Sequence, residues 1–540
     1  MLSEQSSSEI NLTVVNNAKE TVDPLKALML RGISDHRAGR LSKAQSAYEE
    51  IVSKDPDNFH ALQLLASTYN TQERFGKAAH FFDRALVLCD SNAQVLSNCA
   101  SNLRSLGQFN LALECLNKAL ALDPDFAVAH FNRANLFRET GQYSEAIDSY
   151  NTAVLLDPNY AEAFNNLGNT LRDLGRLHEA LIVYVKALLL RPKHGPAHNN
   201  VATTFHSLGD LVEARASYDA GLLEAPGCSD LKFNKSLLLL LSGDYQGGWE
   251  LYESRLEMDD LKKKLPAFDE PRWDGCEDII GKRLFIHEEQ GLGDLIHFCR
   301  YVPALIDKGV EVFLETPKAL APLLKTLHPK VRLVLTGARP PDFDFYCPLM
   351  SLPFAAKTTL DTISGAAYLS SDKARVAQWK ARIGESKAAK IGLVWSGNSA
   401  HRNDHHRSIE LQDLLPILDK SHDWHSLQKE YRPNDIDVME CQTKIIQHQD
   451  ELSDFADTAA LIENLDLVIT VDTSVAHLAG SLGKPVWILL PKVPDYRWML
   501  DRSDTPWYRS ARLYRQSALG DWTDVLEKVA GDIRKVTTDV

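Results

Sequence analysis

A fixed step of 34 residues runs through the first half of this chain. Gly107, Gly141, Gly175, Gly209 and Gly243 all keep it, and stepping back gives Glu73 and then Gly39. Pro56, Pro124, Pro158, Pro192 and Pro226 keep the same step, with Asp90 in the one missing place. So do Ala44, Ala78, Ala112, Ala146, Ala180 and Ala214, and four residues after each of them Tyr48, Phe82, Leu116, Tyr150, Tyr184 and Tyr218. A step of this length is the signature of stacked supersecondary units, each too small to bury its apolar face alone. In a helix–turn–helix unit every marked residue has a task. Glycine ends the first helix in a left-handed conformation, and alanine lets the second helix come close. The large residue one turn later fills the same face, and proline opens the next unit.

Segments such as NNLGNTLRDLGRLHEALIVYVKALLLRP resemble the tetratricopeptide family. The resemblance implies an α-solenoid of about seven repeats over residues 25–262, a superhelix whose usual work is to hold another polypeptide. Residues 1–24, rich in Ser, Asn and Glu without apolar periodicity, read as a flexible start. The last repeat, SGDYQGGWELYESR, has Gly248 where the others have alanine, and is expected to cap the stack or couple it to the next part of the chain.

A second ladder, Asn98, Asn132, Asn166, Asn200 and Asn234, keeps the 34-residue step on the first helix of successive repeats. Asn135 and Asn169 share its face, three residues on. A primary amide offers both a donor and an acceptor, the complement of a peptide group. The row either reads the backbone of a bound polypeptide or serves only to join repeat to repeat. It resembles the asparagine ladder of the O-GlcNAc transferases, which implies acceptor binding.

The net charge of −14 excludes a broad basic surface for nucleic acid or anionic membranes. No run approaches the ~20 apolar residues of a membrane span, and no charged-then-apolar leader opens the sequence. Eight cysteines are scattered without Cys-x-x-Cys spacing, so neither a disulfide framework nor a zinc site is expected. A cytoplasmic, reduced protein fits these features.

Beyond Leu265 the rhythm stops, and residues 263–280 read as a linker. Short apolar runs then alternate with helical segments: RLFIHEE, VEVFLE, VRLVL, KIGLVWSG, WHSLQ, DLVITVD and PVWILLP. That alternation predicts α/β structure with parallel sheets, in two Rossmann-like halves at 281–385 and 386–540. Two such halves around a cleft form the GT-B glycosyltransferase plan, the first half facing the acceptor and the second a nucleotide-sugar donor. In parallel sheets ligands bind beyond the carboxyl ends of the strands, so chemistry is sought there.

Three strand ends carry it. In HEEQGLGDLIHFCRYVPAL, Gly291 and Gly293 are expected to form a tight turn and Asp294 to stand where a helix begins, as a cap or as a functional carboxylate. This run resembles the heptosyltransferase family, which implies Asp294 as general base, with His297 as a rival base or orienting group. In KIGLVWSGNSAHRNDHHRSIEL the strand is expected to end at Ser396, Gly397 and Asn398, before a loop with Arg402 and Arg407. Guanidinium groups there can clamp phosphates and steady a leaving nucleotide without a metal. Arg407 matches a phosphate-contacting basic residue of related transferases. In DLVITVDTSVAHLAGSLGKPVWILLP, Asp472, Thr473 and Ser474 open a helix, with His477 on its first turn. The free N–H groups of that helix suit a phosphate, unless Thr473 and Ser474 only cap it. This string resembles the heptosyltransferase donor site.

Asp342 with Asp344, and Asp435 with Asp437, have Asp-x-Asp spacing but follow no buried strand, and His401, His405 and His406 crowd one loop. None of these implies a metal. No cofactor is expected beyond a nucleotide-sugar co-substrate of unspecified base. The combination resembles the O-GlcNAc transferases in the order of its parts, the heptosyltransferases in its cleft motifs, and bacterial flagellin glycosyltransferases in arrangement. It implies a metal-independent protein O-glycosyltransferase, with flagellin as one acceptor. Two alternatives stay open: an adaptor with a degenerate transferase fold, and a sugar transferase of the lipopolysaccharide core.

Overall fold

The structure is a computed structural model that describes residues 23–289, 291–399, 404–441 and 444–536. The expected flexible start therefore falls almost wholly outside the described residues, as do His401 and Arg402. The chain forms two compact units, Met1–Thr204 and Phe205–Val540.

Helical hairpins run from Pro24–Arg37 paired with Leu41–Lys54 to Ser229–Leu241 paired with Tyr245–Tyr252, seven pairs among the described residues. The spacing logic holds at atomic level. Each hairpin turn has a left-handed residue, at φ +71° for Gly39 and +75° for Gly175, and Glu73 takes the same place at φ +58° without being glycine. The alanines and aromatics of the second helices are sealed: Ala44, Ala146, Tyr48, Tyr150, Tyr184 and Tyr218 are fully buried. Tyr184 lies so close to Gly168 that an added Cβ would stand 2.5 Å from its ring. Its hydroxyl donates to Asn169 Oδ1 at 2.8 Å, as that of Tyr150 does to Asn135 at 2.5 Å.

In the second unit two parallel sheets follow the repeats. The first holds β1 (Arg283–His287), β2 (Glu311–Thr316), β3 (Arg332–Leu335) and β4 (Phe345–Pro348) in the order β3-β2-β1-β4. The second holds β5 (Lys390–Val394), β6 (Asp423–Ser426), β7 (Ile445–Ile446), β8 (Leu467–Val471), β9 (Val486–Leu490) and β10 (Ala511–Arg515) in the order β10-β9-β8-β5-β6-β7. Register pairs Leu284 with Val312 and Phe345 in the first sheet, and Ile391 with Leu467 in the second. All seven expected strands form, and β8 is buried at every position, as a strand of a parallel sheet covered on both faces is. β4, β7 and β10 are additions, too short or too polar to announce themselves. Part of the 263–280 segment is ordered against β4: Trp273 N–H donates to Tyr346 O at 2.8 Å, and Phe268 packs edge-on to Phe285 and Phe343.

The seventh repeat belongs to this unit and shares its core. Tyr245, Trp249 and Tyr252 are buried with Phe298, Tyr496 and Trp507. Trp249 stands edge-on to both Phe298 and Tyr496, and Trp507 Nε1 donates to Tyr245 Oη at 3.2 Å. The departure at Gly248 has a steric cause, since an added Cβ would meet Leu240 Cδ2 at 2.6 Å. Just beyond, Arg255 (1% exposed) donates to both carboxylate oxygens of the enclosed Glu289, which also accepts from Met350 N–H. The repeat is thus tied by charge, as well as by aromatic packing, to the loop that leaves β1.

Candidate active site

The loops after β1 and β8 bring their helices, Leu292–Phe298 and Ser474–Ser481, against each other. Glycine at 293 permits the approach: an added Cβ would stand 3.2 Å from His477 Cδ2 and 3.4 Å from Ser474 Cα. Neither Gly291 nor Gly293 has a left-handed backbone, so the expected tight-turn role is corrected to one of close approach between two helix starts.

Asp294, in the first turn after Gly291, accepts from Arg497 Nη2 at 2.6 Å, while Arg497 Nη1 donates to Asp495 at 2.9 Å. Arg497 lies over the rings of Tyr496 and Phe298 and is buried, and its Nε has no hydrogen-bond partner. Burial works against its charge, but Asp495, Tyr496 and Asp294 outweigh that and hold it firmly protonated.

His297 is wholly buried, its Nδ1 2.8 Å from Tyr508 Oη. His477 places its own Nδ1 2.9 Å from the same oxygen and stacks on Trp498 at 5.3 Å. Burial, reinforced by nearby arginines, pushes both imidazoles well below the ordinary histidine value, so both are neutral.

At the end of β8, Thr473 precedes the helix without a side-chain cap; its hydroxyl lies 3.0 Å from Thr470 Oγ1. Ala476 N–H bonds back to Thr473 O at 3.1 Å, and the N–H groups of Ser474 and Val475, which no side chain caps, keep their outward bonding capacity. Desolvation and then Asp495 push the Asp472 carboxyl up to about 6, against the pull of Arg407 and Arg497. Arg407 lies on the one-turn helix Asp404–Arg407 rather than in an open loop. It donates to Asp472 O at 3.1 Å and packs so tightly over Gly397 that a Cβ there would stand 2.6 Å from Nη2. Arg407 thus spans the ends of β5 and β8.

β5 stops at Val394, two residues before the expected end. Ser396 is buried, its hydroxyl accepting from Gln428 Nε2 at 3.0 Å, while Asn398 is exposed. Arg432 and Asp404 form an ion pair beside Arg407. Sequence reasoning misses Arg497, Tyr508, Gln428 and Arg432, since no local motif marks them. Their only signal is a polar residue next to apolar or aromatic neighbours.

The Asp-x-Asp pairs serve elsewhere. Asp344 binds Arg283, and Asp435 accepts from Arg432 N–H inside a helix; Asp342 and Asp437 are exposed. Among the described residues no group of three or more His, Cys, Asp or Glu side chains could hold a metal ion. A cavity of about 530 Å³ lies not at this cleft but beside the ends of β1 and β4, between His287, Tyr346 and Pro348 and the seventh repeat's Glu250 and Ser254.

In the first unit the asparagine row is half-buried and tied across repeats. Asn132 Nδ2 donates to Ser97 Oγ at 2.9 Å, Asn166 to Asn135 Oδ1 at 3.0 Å, and Asn200 to Asn165 Oδ1 at 2.9 Å. Arg172 donates to Asn200 Oδ1, and Gln94 to Asn98 Oδ1. Asn234, in the second unit, is likewise half-buried.

No helix among the described residues is long and apolar enough to cross a membrane. Family models described as TPR repeat match residues 100–137 and 134–175, and models described as tetratricopeptide repeat match 29–93 and 159–220. Protein FlbA of Caulobacter vibrioides is 28% identical over 355 residues, which are 58% of this chain and 57% of that protein. The chain thus spans less than two thirds of that relative's length. Among solved structures, a tetratricopeptide repeat protein from Parabacteroides merdae is 18% identical, covering 44% of this chain and 95% of its own at a TM-score of 0.38. TTC0263, a TPR protein in Thermus thermophilus, is 24% identical, covering 34% and 98% at a TM-score of 0.31. The first part of the chain is a stack of tetratricopeptide repeats, joined to an α/β part with two parallel sheets.

Proposed function

We propose that this protein is a metal-independent glycosyltransferase of the GT-B plan, moving a sugar from a nucleotide-activated donor to a Ser or Thr hydroxyl of a protein held by the repeats. The observation that carries the reading is the meeting of two helix starts from different sheets at the carboxyl ends of β1 and β8, with Asp294, Arg407, Arg497 and His477 around them. Parallel sheets bind ligands at such strand ends, and the uncapped first turn at Ser474 suits a phosphate.

In the reaction the acceptor oxygen attacks the anomeric carbon, and its proton passes to Asp294. The bond from that carbon to the phosphate oxygen breaks, and the nucleotide leaves with the electron pair, its charge met by Arg407 and the helix start. Asp294 is now paired with Arg497. The donor's phosphates, competing for Arg497, would loosen that pair. Acceptor binding by the repeats rests on the resemblance of the asparagine row to an acceptor-binding ladder, since in the structure the row also bonds between repeats; flagellin is one acceptor this reading includes.

The test is sugar transfer by purified protein: Asp294→Asn and His477→Ala should each reduce it at least a hundredfold. Undiminished transfer by both would sink the assignment.

The pairing of half-buried Asp294 with buried Arg497 favours a second reading, in which the cleft is only structural and the repeats act as an adaptor. A thermal-shift series with UDP, GDP, ADP and CMP sugars separates the two, because a ligand of the native state raises apparent stability. No shift with any of them would favour the adaptor.

A further inference from the structure

We infer that Tyr508, with His297 behind it, fixes His477 as the imidazole tautomer that carries its proton on Nε2, so that His477 meets the nucleotide-sugar donor as a hydrogen-bond donor and not as a base. The role at the donor rests on the transferase reading above; the tautomer itself does not.

The Tyr508 hydroxyl is shared between two rings. Its Oη lies 2.8 Å from His297 Nδ1 and 2.9 Å from His477 Nδ1. A phenol has one proton to give and lone pairs to receive, so it donates to one ring and accepts from the other. Burial keeps the phenol protonated and both rings neutral. The two imidazoles must therefore be opposite tautomers, one protonated on Nδ1 and the other on Nε2.

His297 decides which is which. Its Nε2 is enclosed and has no hydrogen-bond partner. A proton there would be an orphaned buried N–H, which is rarer and costlier than an orphaned lone pair. The proton of His297 therefore sits on Nδ1 and is donated to Tyr508. Tyr508 in turn donates to His477 Nδ1, and the His477 proton is left on Nε2.

The surroundings hold this arrangement. Arg300 donates to His297 O at 2.8 Å and lies over the Tyr508 ring, and Arg300, Arg497 and Arg407 all oppose an imidazolium at His477. The Tyr368 hydroxyl spends its proton on Ile296 O at 2.8 Å. The His477 ring is clamped by Trp498 on one side and borders Gly293 at Cδ2, the carbon next to Nε2. Its N–H therefore stands beside the first turn of Leu292–Phe298. There it can stabilise charge developing on the leaving phosphate oxygen without any proton transfer.

The experiment is long-range proton–nitrogen NMR on the full chain labelled with nitrogen-15 histidine, with His477→Gln and His297→Gln assigning the two rings. The expected result is a pyrrole-type Nε2 and a pyridine-type Nδ1 for His477, and the reverse for His297. The opposite pattern, or the same tautomer in both rings, overturns the inference. In Tyr508→Phe the His477 signals should lose the single-tautomer pattern; an unchanged pattern also overturns it. If that variant does not fold, the wild-type spectrum decides alone. A chain with the expected tautomers that transfers no sugar would count against the transferase reading only.

Discussion

The repeats and the α/β part solve packing in opposite ways. In the repeats one solution recurs: a left-handed turn residue in all seven, and in six of them a sealed alanine with a large residue one turn on. In the α/β part each solution is used once, and residues far apart in sequence meet at one point. Asp294 reaches Arg497 across 203 positions, and His297 reaches Tyr508 across 211. A change in a repeat should therefore be local and modest, whereas a change in the shared core should be felt throughout its unit.

The seventh repeat tests that contrast most sharply, because it has a foot in both regimes. Trp249→Ala should cost about 3–5 kcal/mol in denaturant unfolding of the second unit, as for any large buried aromatic removed from a core. Arg215, exposed at the same place one repeat earlier, should cost less than about 0.5 kcal/mol on change to Ala. Equal effects would mean that the seventh repeat is an ordinary one.

A smaller effect is expected at Asp472. Its pKa of about 6 lies above the ordinary 3.8, so the unfolded chain gives up this proton first as pH rises. Stability is therefore lost between those two values and stays lost above about 6. Asp472→Asn should recover up to about 3 kcal/mol at neutral pH and nothing below the ordinary value. The same gain at both pH values would show that the carboxylate is not strained by burial.

Within the repeats, Gly168→Ala should cost about 1–2 kcal/mol, because the Tyr184 ring must move. Smallest of all, Glu73→Gly should stabilise by about 1 kcal/mol, since Glu73 takes a left-handed backbone that glycine adopts freely. A loss on that change would mean that the Glu73 side chain does more than occupy the turn. Thermal melts of the full chain measure both.

The sequence alone determined the repeats and the strand–helix alternation, because these depend on spacing within a few tens of residues. Gly39, Ala44 and Tyr48 reveal their tasks by recurrence. It also marked the loop glycines, Asp294, Arg407 and the Thr473–His477 run, which stand next to apolar strands in a recognisable order. The tertiary structure alone decided what those residues touch. Arg497 claims Asp294, Gln428 occupies Ser396, Tyr508 joins two histidines, and the asparagine row spends bonds between repeats. Such partners are set by where distant segments are folded together, and a hydrogen bond or ion pair between them depends on atomic distance, which leaves no period in the chain to read.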